Sequence, residues 1–233
     1  MGKKSDNTRF FIKVPRAVIE TLRDNPLGIT PYLAIADSYG LNKRATFTLN
    51  QFREFANKDS VGLTKSLLTE ALIELQNQER ISFTVDNKLF YVAVLDTFDD
   101  CESFAKIYMD EIYTLQQPEL KKQTCKLLYV LAYLRLNMNA KGLYYRTYTK
   151  LAKTLNLSNI YISRLCNTLQ DLNIISIKQI DNGKQPDHTY KSNAKFEIFA
   201  DKSNPDWQTN LKSLETQLAS GIDDYDLWEL YFF

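Results

Sequence analysis

The sequence repeats itself once, and the two copies stand 93 residues apart. Each copy opens on an aromatic residue that begins a short apolar segment. The matching residues are Phe11 and Phe104, Lys13 and Lys106, and Leu22 and Leu115. Repeats in solenoid proteins are shorter, roughly 20–50 residues, and more numerous. A single repetition at this interval in a chain of 233 residues therefore predicts two copies of one domain.

The first copy is predicted to contain three helices followed by a β-hairpin. Apolar residues recur at helical spacing in the helices, while β-branched and aromatic residues mark the strands. The predicted helices span 29–39, 48–57 and 64–78, and the predicted strands span 9–14, 81–85 and 89–95. We place Lys43 and Arg44 in the connection between the first two helices. This order of helices and hairpin is that of a winged helix.

The second copy shows the same order more clearly. Its predicted helices span 118–137, 148–155 and 161–172, and its predicted strands span 176–180 and 194–199. Pro118 suits the first turn of its first helix, and Ser158 or Asn159 can cap its last helix. The turn before that last helix is about five residues shorter than the corresponding turn of the first copy.

The fold class expected from these patterns is α+β, mainly α, in the form of an internally duplicated tandem winged helix-turn-helix with pseudo-two-fold symmetry. The predicted regions are a disordered start (1–8), a first winged-helix repeat (9–95), an acidic connector with the start of the second repeat (96–117), a second winged-helix repeat (118–200), and a C-terminal helix with an acidic aromatic tail (201–233).

The last helix is predicted to begin at Asn204 and Pro205, a capping residue followed by proline, and to end at Gly221. Its apolar residues Trp207, Leu211, Leu214 and Leu218 recur at helical spacing. Such a helix either docks a partner or packs on its own domain, and we favour packing on its own domain.

Charge is distributed unevenly along a chain whose net charge is only +1. Residues 140–195 carry nine basic and three acidic residues, whereas 96–120 carry seven acidic and one basic, and 196–233 carry eight acidic and two basic. A protein with one nucleic-acid-binding face shows this segregation. The alternative is an uneven surface without functional meaning. We favour a second copy that faces DNA and an acidic tail suited to a protein partner.

The sequence lacks the motifs of common enzymes. Its seven glycines form neither of the common phosphate-binding loops, and a catalytic triad or histidine-bearing metal cluster would need partners that no spacing around the single histidine, His188, suggests. Three widely spaced cysteines, Cys101, Cys125 and Cys166, predict reduced core thiols. We therefore expect a cytoplasmic protein with no catalytic residues, no metal, no cofactor and no membrane segment.

A recognition helix needs polar or basic side chains on the face opposite its apolar stripe, because these pair with base edges in the major groove. The candidates for base reading are Asn159, Tyr161, Ser163, Arg164 and Asn167 in the second copy, and Thr64, Lys65, Ser66 and Thr69 in the first. Phosphate contacts set the register on the duplex. The candidates for these contacts are Arg146, Thr149, Lys150, Lys153, Lys43, Arg44, Arg53 and Lys58, and the wing candidates are Lys88, Lys184, His188 and Lys191. Each of these is individually as consistent with a solvated surface position, so the prediction depends on their joint placement.

The opening Phe11-Ile12-Lys13-Val14-Pro15, followed by Pro31-Tyr32-Leu33, resembles the start of plasmid replication initiators of Gram-positive bacteria. With the duplication, which covers about residues 10–200, the chain resembles tandem winged-helix proteins of Gram-positive mobile elements. It is similar both to the small double-stranded-DNA-binding proteins of conjugative transfer operons (the TraN type), which fold as an internal dimer, and to two-winged-helix plasmid initiators.

The resemblance implies a monomer with an internal pseudo-dimer that binds double-stranded DNA. Our first hypothesis is a protein that recognises a site on its own plasmid or mobile element and controls conjugative transfer or transcription. The second is a plasmid replication initiator that binds origin repeats. The third is an adaptor whose winged helices meet proteins instead of DNA.

Overall fold

The computed structural model describes residues 9–30, 32–33, 44–51, 64–79, 81–94, 103–120, 123–181 and 195–219. In these ranges the protein is mixed α and β with small antiparallel sheets, which is compatible with the α+β class. The chain divides into two compact units, Met1–Leu136 and Asn137–Phe233. The expected disorder of residues 1–8 lies outside the described residues.

The first unit contains strands β1 (Phe11–Pro15), β2 (Arg44–Thr48), β3 (Ile81–Asp86), β4 (Leu89–Val94) and β5 (Phe104–Tyr108). Its helices are α1 (Arg16–Thr21), α2 (Lys65–Asn77), α3 (Met109–Leu115) and α4 (Thr124–Leu136), with 3-10 turns at Pro26–Gly28 and Pro118–Leu120. Residues 29–30, 32–33 and 49–51 are also helical.

The second unit contains strands β6 (Leu143–Arg146), β7 (Ile175–Asp181) and β8 (Lys195–Asp201). Its helices are α5 (Tyr148–Thr154), α6 (Asn159–Asp171) and α7 (Trp207–Ala219).

Each unit holds a three-stranded antiparallel sheet, and the two sheets have the same strand order. The orders are β2–β4–β3 and β6–β8–β7, so the last strand lies between the other two in both sheets. In both, the first strand leads directly into a helix through a threonine N-cap. Thr48 Oγ1 accepts a hydrogen bond from the Gln51 N–H (3.2 Å), and Thr147 Oγ1 accepts one from the Lys150 N–H (3.1 Å).

Helices α2 and α6 are each 13 residues long, and both continue into a strand through the same connection. Gln76 Oε1 accepts a hydrogen bond from the Phe83 N–H (2.9 Å), and Gln170 Oε1 accepts one from the Ile177 N–H (2.8 Å). The two helices also bury corresponding residues, which are Leu68, Ala71, Leu72 and Leu75 in α2 and Ile162, Leu165, Cys166 and Leu169 in α6. The hydrogen-bonded residues and the buried residues of the two segments therefore correspond to each other at a constant interval of 94 residues.

Strands β1 and β5 form an antiparallel ribbon within the first unit. Lys13 lies directly opposite Lys106 at its centre. The ribbon is closed at its ends by the Arg16 N–H, which donates to the Ser103 carbonyl (2.9 Å), and by the Met109 N–H, which donates to the Phe10 carbonyl (3.0 Å). The 93-residue shift of the sequence relates these two bonds to each other.

Helix α4 is the centre of the first unit's core. Almost all of its residues are buried around its whole circumference, as expected for a helix enclosed by other elements. β5 packs against it, and the Tyr129 hydroxyl donates a buried hydrogen bond to the Ile19 carbonyl (3.1 Å). The prediction of one helix from Pro118 was wrong. Pro118 opens a 3-10 turn, and the helix begins at Thr124, whose hydroxyl donates to the Leu115 carbonyl (2.8 Å).

Several short elements were not predicted. Arg44 is the first residue of β2 and not part of a connection, and Lys43 lies outside the described residues. Thr48 ends that strand and caps the helix that begins at residue 49. β5 and α3 occupy 104–115 of the predicted acidic connector. These elements contain four to seven residues, which is too short for apolar periodicity to establish them.

The last helix begins at Trp207, two residues later than predicted. Asn204 Oδ1 instead accepts a hydrogen bond from the Asp206 N–H (3.0 Å), which forms a turn before the helix. Leu211 and Leu214 pack with Leu143, Ile198 and Ala200 in one apolar cluster. The prediction that this helix packs on its own domain is therefore confirmed.

Candidate nucleic-acid interface

Helices α5 and α6 form a pair joined by a tight turn. Asn156 adopts a left-handed conformation (φ 53°), and the Leu157 N–H donates to the Ala152 carbonyl (3.0 Å), so the chain reverses direction directly after α5. Ser158 then caps α6, because its Oγ accepts a hydrogen bond from the Tyr161 N–H (3.3 Å). The predicted cap is thus Ser158, and Asn159 is the first residue of the helix.

The buried faces of both helices fix α6 in place. Leu151 and Leu155 from the first helix and its following turn are fully buried, as are Ile162, Leu165 and Leu169 from α6. A second link joins the first turns of the two helices, since the Asn159 side-chain amide donates to Thr149 Oγ1 (3.0 Å). The opposite face of α6 is therefore presented to solvent by a rigid support.

That opposite face carries an exposed stripe of three residues, Ile160, Arg164 and Asn167. Their spacing of four and three residues places them on one side of the helix. Arg164 and Asn167 were predicted from the sequence, whereas Ile160 was missed. The side chain of Ile160 is 77% exposed. Its position outside the apolar stripe of Ile162 and Leu165 is the sequence signal that could have identified it.

Of the remaining base-reading candidates of α6, Asn159 is exposed and bonded to Thr149, and the other two are less accessible. Tyr161 and Ser163 are half-buried. Ser163 forms a side-chain hydrogen bond with Tyr148, whose pKa is raised mainly by burial and lowered in part by this bond. Ser163 therefore supports the helix pair more than it faces a ligand.

The phosphate candidates of the second copy lie beside α6. Thr149, Lys150 and Lys153 are exposed on α5, and Arg146 is half-buried at the end of β6. Because Thr149 is bonded to Asn159, the two lysines of α5 lie on the helix that adjoins the first turn of α6. This arrangement combines cationic side chains with a polar helix face.

A buried carboxylate, which the sequence did not indicate, holds the start of α5. Glu197 on the central strand β8 is 3% exposed, and it accepts a hydrogen bond from the Tyr148 N–H (2.9 Å) and a longer one from Gln179 Nε2 (3.4 Å). Burial raises the pKa of Glu197, and these hydrogen bonds oppose the rise. The carboxylate thereby fixes the orientation of the helix that carries Lys150.

The corresponding helix of the first copy, α2, has a different surface. Thr64 is its N-cap, and Lys65 is exposed. Ser66 Oγ donates to Glu70 Oε1 (2.8 Å), and Thr69 Oγ1 donates to the Lys65 carbonyl (2.8 Å). The four predicted base readers of this helix are therefore a cap, an exposed lysine and two hydroxyls that bond within the helix.

Helix α2 carries two carboxylates, of which Glu70 is exposed and Glu74 is half-buried. Glu70 stands where α6 has Arg164, under the shift of 94 residues. The pKa of Glu74 is raised, first by burial and then by repulsion from Asp24 and Glu70. A phosphate group would meet repulsion at Glu70, whereas it would meet attraction at Arg164, the corresponding residue of α6.

Several candidates lie outside the part of the chain whose structure is described. These are Lys43, Arg53, Lys58, Lys184, His188 and Lys191, and the side chain of Arg44 is likewise undescribed. Lys88, the wing candidate of the first copy, is exposed in the β3–β4 turn with a positive φ of 72°.

Within the described residues, no group of three or more histidine, cysteine, aspartate or glutamate side chains could hold a metal ion. No helix in the described ranges has the length and apolar character needed to span a bilayer. Cys125 and Cys166 are free and buried, and burial raises the pKa of both thiols.

Neither a protein-family model nor a curated protein matches this chain.

Proposed function

We propose that the chain is an internally duplicated tandem winged helix with a local pseudo-two-fold axis in the β1–β5 ribbon. Three features support the duplication. The two sheets share one strand order, the α2–β3 and α6–β7 segments correspond at 94 residues, and the end bonds of the ribbon correspond at 93 residues. Segments of unrelated origin would not be expected to correspond at nearly the same interval in all three features.

We infer that the protein binds double-stranded DNA and that α6 is its main recognition helix. The observation that carries this inference is the exposed stripe of Ile160, Arg164 and Asn167, supported on its buried side and flanked by Lys150 on α5. Arginine forms paired hydrogen bonds with guanine, asparagine does so with adenine, and an aliphatic group contacts the thymine methyl. Lysines beside the helix neutralise phosphates and set the register.

The two copies contribute unequally in this proposal. α6 supplies base contacts, whereas the Glu70 and Glu74 carboxylates make α2 a weaker partner for a polyanion. The preferred site is therefore asymmetric, unlike the palindrome that a homodimer of identical subunits recognises. By the resemblance of its sequence, we assign the protein to the control of conjugative transfer or transcription of its own plasmid or mobile element, acting in the cytoplasm as a monomeric internal pseudo-dimer.

Selection of bound fragments from random duplex DNA, with the full purified chain, tests the proposed function. We expect one enriched asymmetric motif, and binding that weakens steeply with salt through counterion release. No enrichment and no salt-sensitive duplex binding would contradict DNA binding and favour a protein adaptor. Footprinting on the parent element then separates control of transfer or transcription, with one or a few sites, from replication initiation, with an array of origin repeats.

A further inference from the structure

The centre of the β1–β5 ribbon juxtaposes two like charges. Lys13 and Lys106 are directly opposite each other, with Lys106 exposed and Lys13 half-buried. The backbone bonds from Arg16 to Ser103 and from Met109 to Phe10 mark the hydrogen-bonded pairs of the ladder. Hydrogen-bonded and non-hydrogen-bonded pairs alternate along an antiparallel ladder, so the two lysines form a non-hydrogen-bonded pair. In such a pair the Cα atoms are only about 4.5 Å apart.

Each lysine is held over an aromatic ring of the other strand. Lys13 Nζ lies 4.5 Å from the ring centre of Phe104, and Lys106 Nζ lies 4.9 Å from that of Phe11. In each contact the lysine reaches the ring two residues before its direct partner on the opposite strand. The two contacts are equivalent, because the 93-residue shift relates Lys13 to Lys106 and Phe11 to Phe104. The two ammonium groups are therefore positioned by matching cation–π contacts.

Like charges directly opposite in a β-ribbon destabilise it. Among the described residues, no carboxylate forms an ion pair with either lysine, although the nearby Arg9 pairs with Asp110 (2.7 Å) and Arg16 with Glu20 (3.7 Å). The aromatic surroundings are also accessible, since Phe11 is 40% exposed. Within the part of the chain that the structure describes, the ribbon thus holds two lysines without an ion pair on a partly exposed surface.

We propose that the ribbon face, defined by Phe11, Lys13, Phe104 and Lys106, binds phosphates of double-stranded DNA. The inference rests on the proposed function and adds a second, sequence-independent contact surface to it. Phosphate groups would remove the repulsion between the lysines. A duplex also presents phosphates in dyad-related pairs, one on each strand, which matches two cations related by a local pseudo-two-fold axis.

The test compares the wild-type chain with a Lys13→Gln/Lys106→Gln double variant by fluorescence anisotropy, using the selected duplex and a scrambled duplex over a range of salt concentrations. Each lost phosphate contact lowers the slope of log affinity against log salt by about 0.9, so the double variant should lose roughly 1.8. Its preference for the selected sequence should be unchanged. The thermal midpoint of the double variant shows whether its ribbon stays folded, since the substitutions remove two cation–π contacts together with the repulsion.

A Lys141→Gln/Lys212→Gln variant is the matched control, because it removes two exposed charges elsewhere in the chain. It should retain most of the wild-type slope. An unchanged slope in the ribbon variant, or an equal decrease in the control, would overturn the ribbon proposal while leaving recognition by α6 intact. Absence of duplex binding by the wild-type chain would overturn both the ribbon proposal and the proposed function.

Discussion

Glu70 on α2 and Arg164 on α6 occupy corresponding positions, 94 residues apart, on helices that are otherwise built alike. The same interval joins Gln76 to Gln170, each of which accepts a hydrogen bond from the first part of the following strand. The scaffold has thus been retained while the charge at this exposed position has reversed. This relationship supports unequal roles for the two copies in DNA binding.

Replacing Ile160 with alanine should reduce affinity for the selected site when a thymine methyl is present. Loss of one buried methylene-sized contact amounts to about 0.8 kcal/mol, or roughly a fourfold increase in Kd. Exchanging thymine for deoxyuridine, one position at a time, should produce the same decrease in the wild-type protein and no further decrease in the variant. Ile73 is an exposed isoleucine of α2 (44% exposed) at the position that corresponds to Asn167, and it provides the control.

An Ile73→Ala variant should respond to deoxyuridine as the wild-type protein does. Should no thymine position respond to loss of its methyl group, the assignment of Ile160 to base reading would be wrong, even if the protein recognises a specific site.

Replacing Glu197 with glutamine should stabilise the protein more at neutral pH than at acidic pH. The pKa of Glu197 is raised in the folded state by burial. Its ionised form therefore opposes folding above that pKa, and this penalty disappears as the pH falls and the carboxyl group is protonated. Glutamine keeps an acceptor for the Tyr148 N–H and carries no charge.

Chemical denaturation of both proteins between pH 4 and pH 7 measures this effect. The difference in unfolding free energy, variant minus wild type, should decrease as the pH falls. A difference that is constant across this range, or that grows at low pH, would show that burial does not control the ionisation of Glu197.

Removal of Glu111 should destabilise the first unit strongly. Arg135 donates to Glu111 Oε1 (2.7 Å) and to the Lys106 carbonyl (2.8 Å), and both side chains are buried. An unpaired buried charge typically lowers stability by about 3–5 kcal/mol. Valine is the substitution of choice, because Val18 is the corresponding residue of the first copy, 93 positions earlier. A Glu111→Val variant should lower the unfolding free energy by about that amount.

A Glu111→Val/Arg135→Met double variant should recover part of the loss, because it removes both charges together. Urea denaturation of the two variants measures the recovery. If the double variant is less stable than the single variant, the buried pair does not act through charge compensation.

The sequence predicted the elements whose apolar spacing extends over three or more turns. α2 and α6 lie within one or two residues of their expected bounds, because buried leucines and isoleucines recur along both helices. Strands β2 and β6 were missed, since five and four residues give no resolvable period. Strand pairing also depends on tertiary structure. The sequence showed that Lys13 and Lys106 are equivalent residues of the repeat, but it did not show that they face each other in one ribbon.

The candidate site, like the fold, was predicted in part. Arg164 and Asn167 are exposed beside α5, as their positions opposite the apolar stripe indicated. The burial of Glu197 could not be inferred, because its strand lies between two others and buries successive residues on both faces. Nor did spacing show that Thr64 is a cap or that Ser66 is bonded to Glu70.

The central claim, that α6 reads DNA and α2 contributes little to sequence discrimination, is tested most directly by comparing Arg164→Ala with Glu70→Ala. The measurement is the ratio of Kd for a scrambled duplex to Kd for the selected duplex, with Lys150→Ala as a control for phosphate contacts. Arg164→Ala should reduce discrimination by about 1–3 kcal/mol. Glu70→Ala should preserve discrimination, and Lys150→Ala should weaken both duplexes alike. Wild-type discrimination by Arg164→Ala, or an equal loss in Glu70→Ala, would contradict the account.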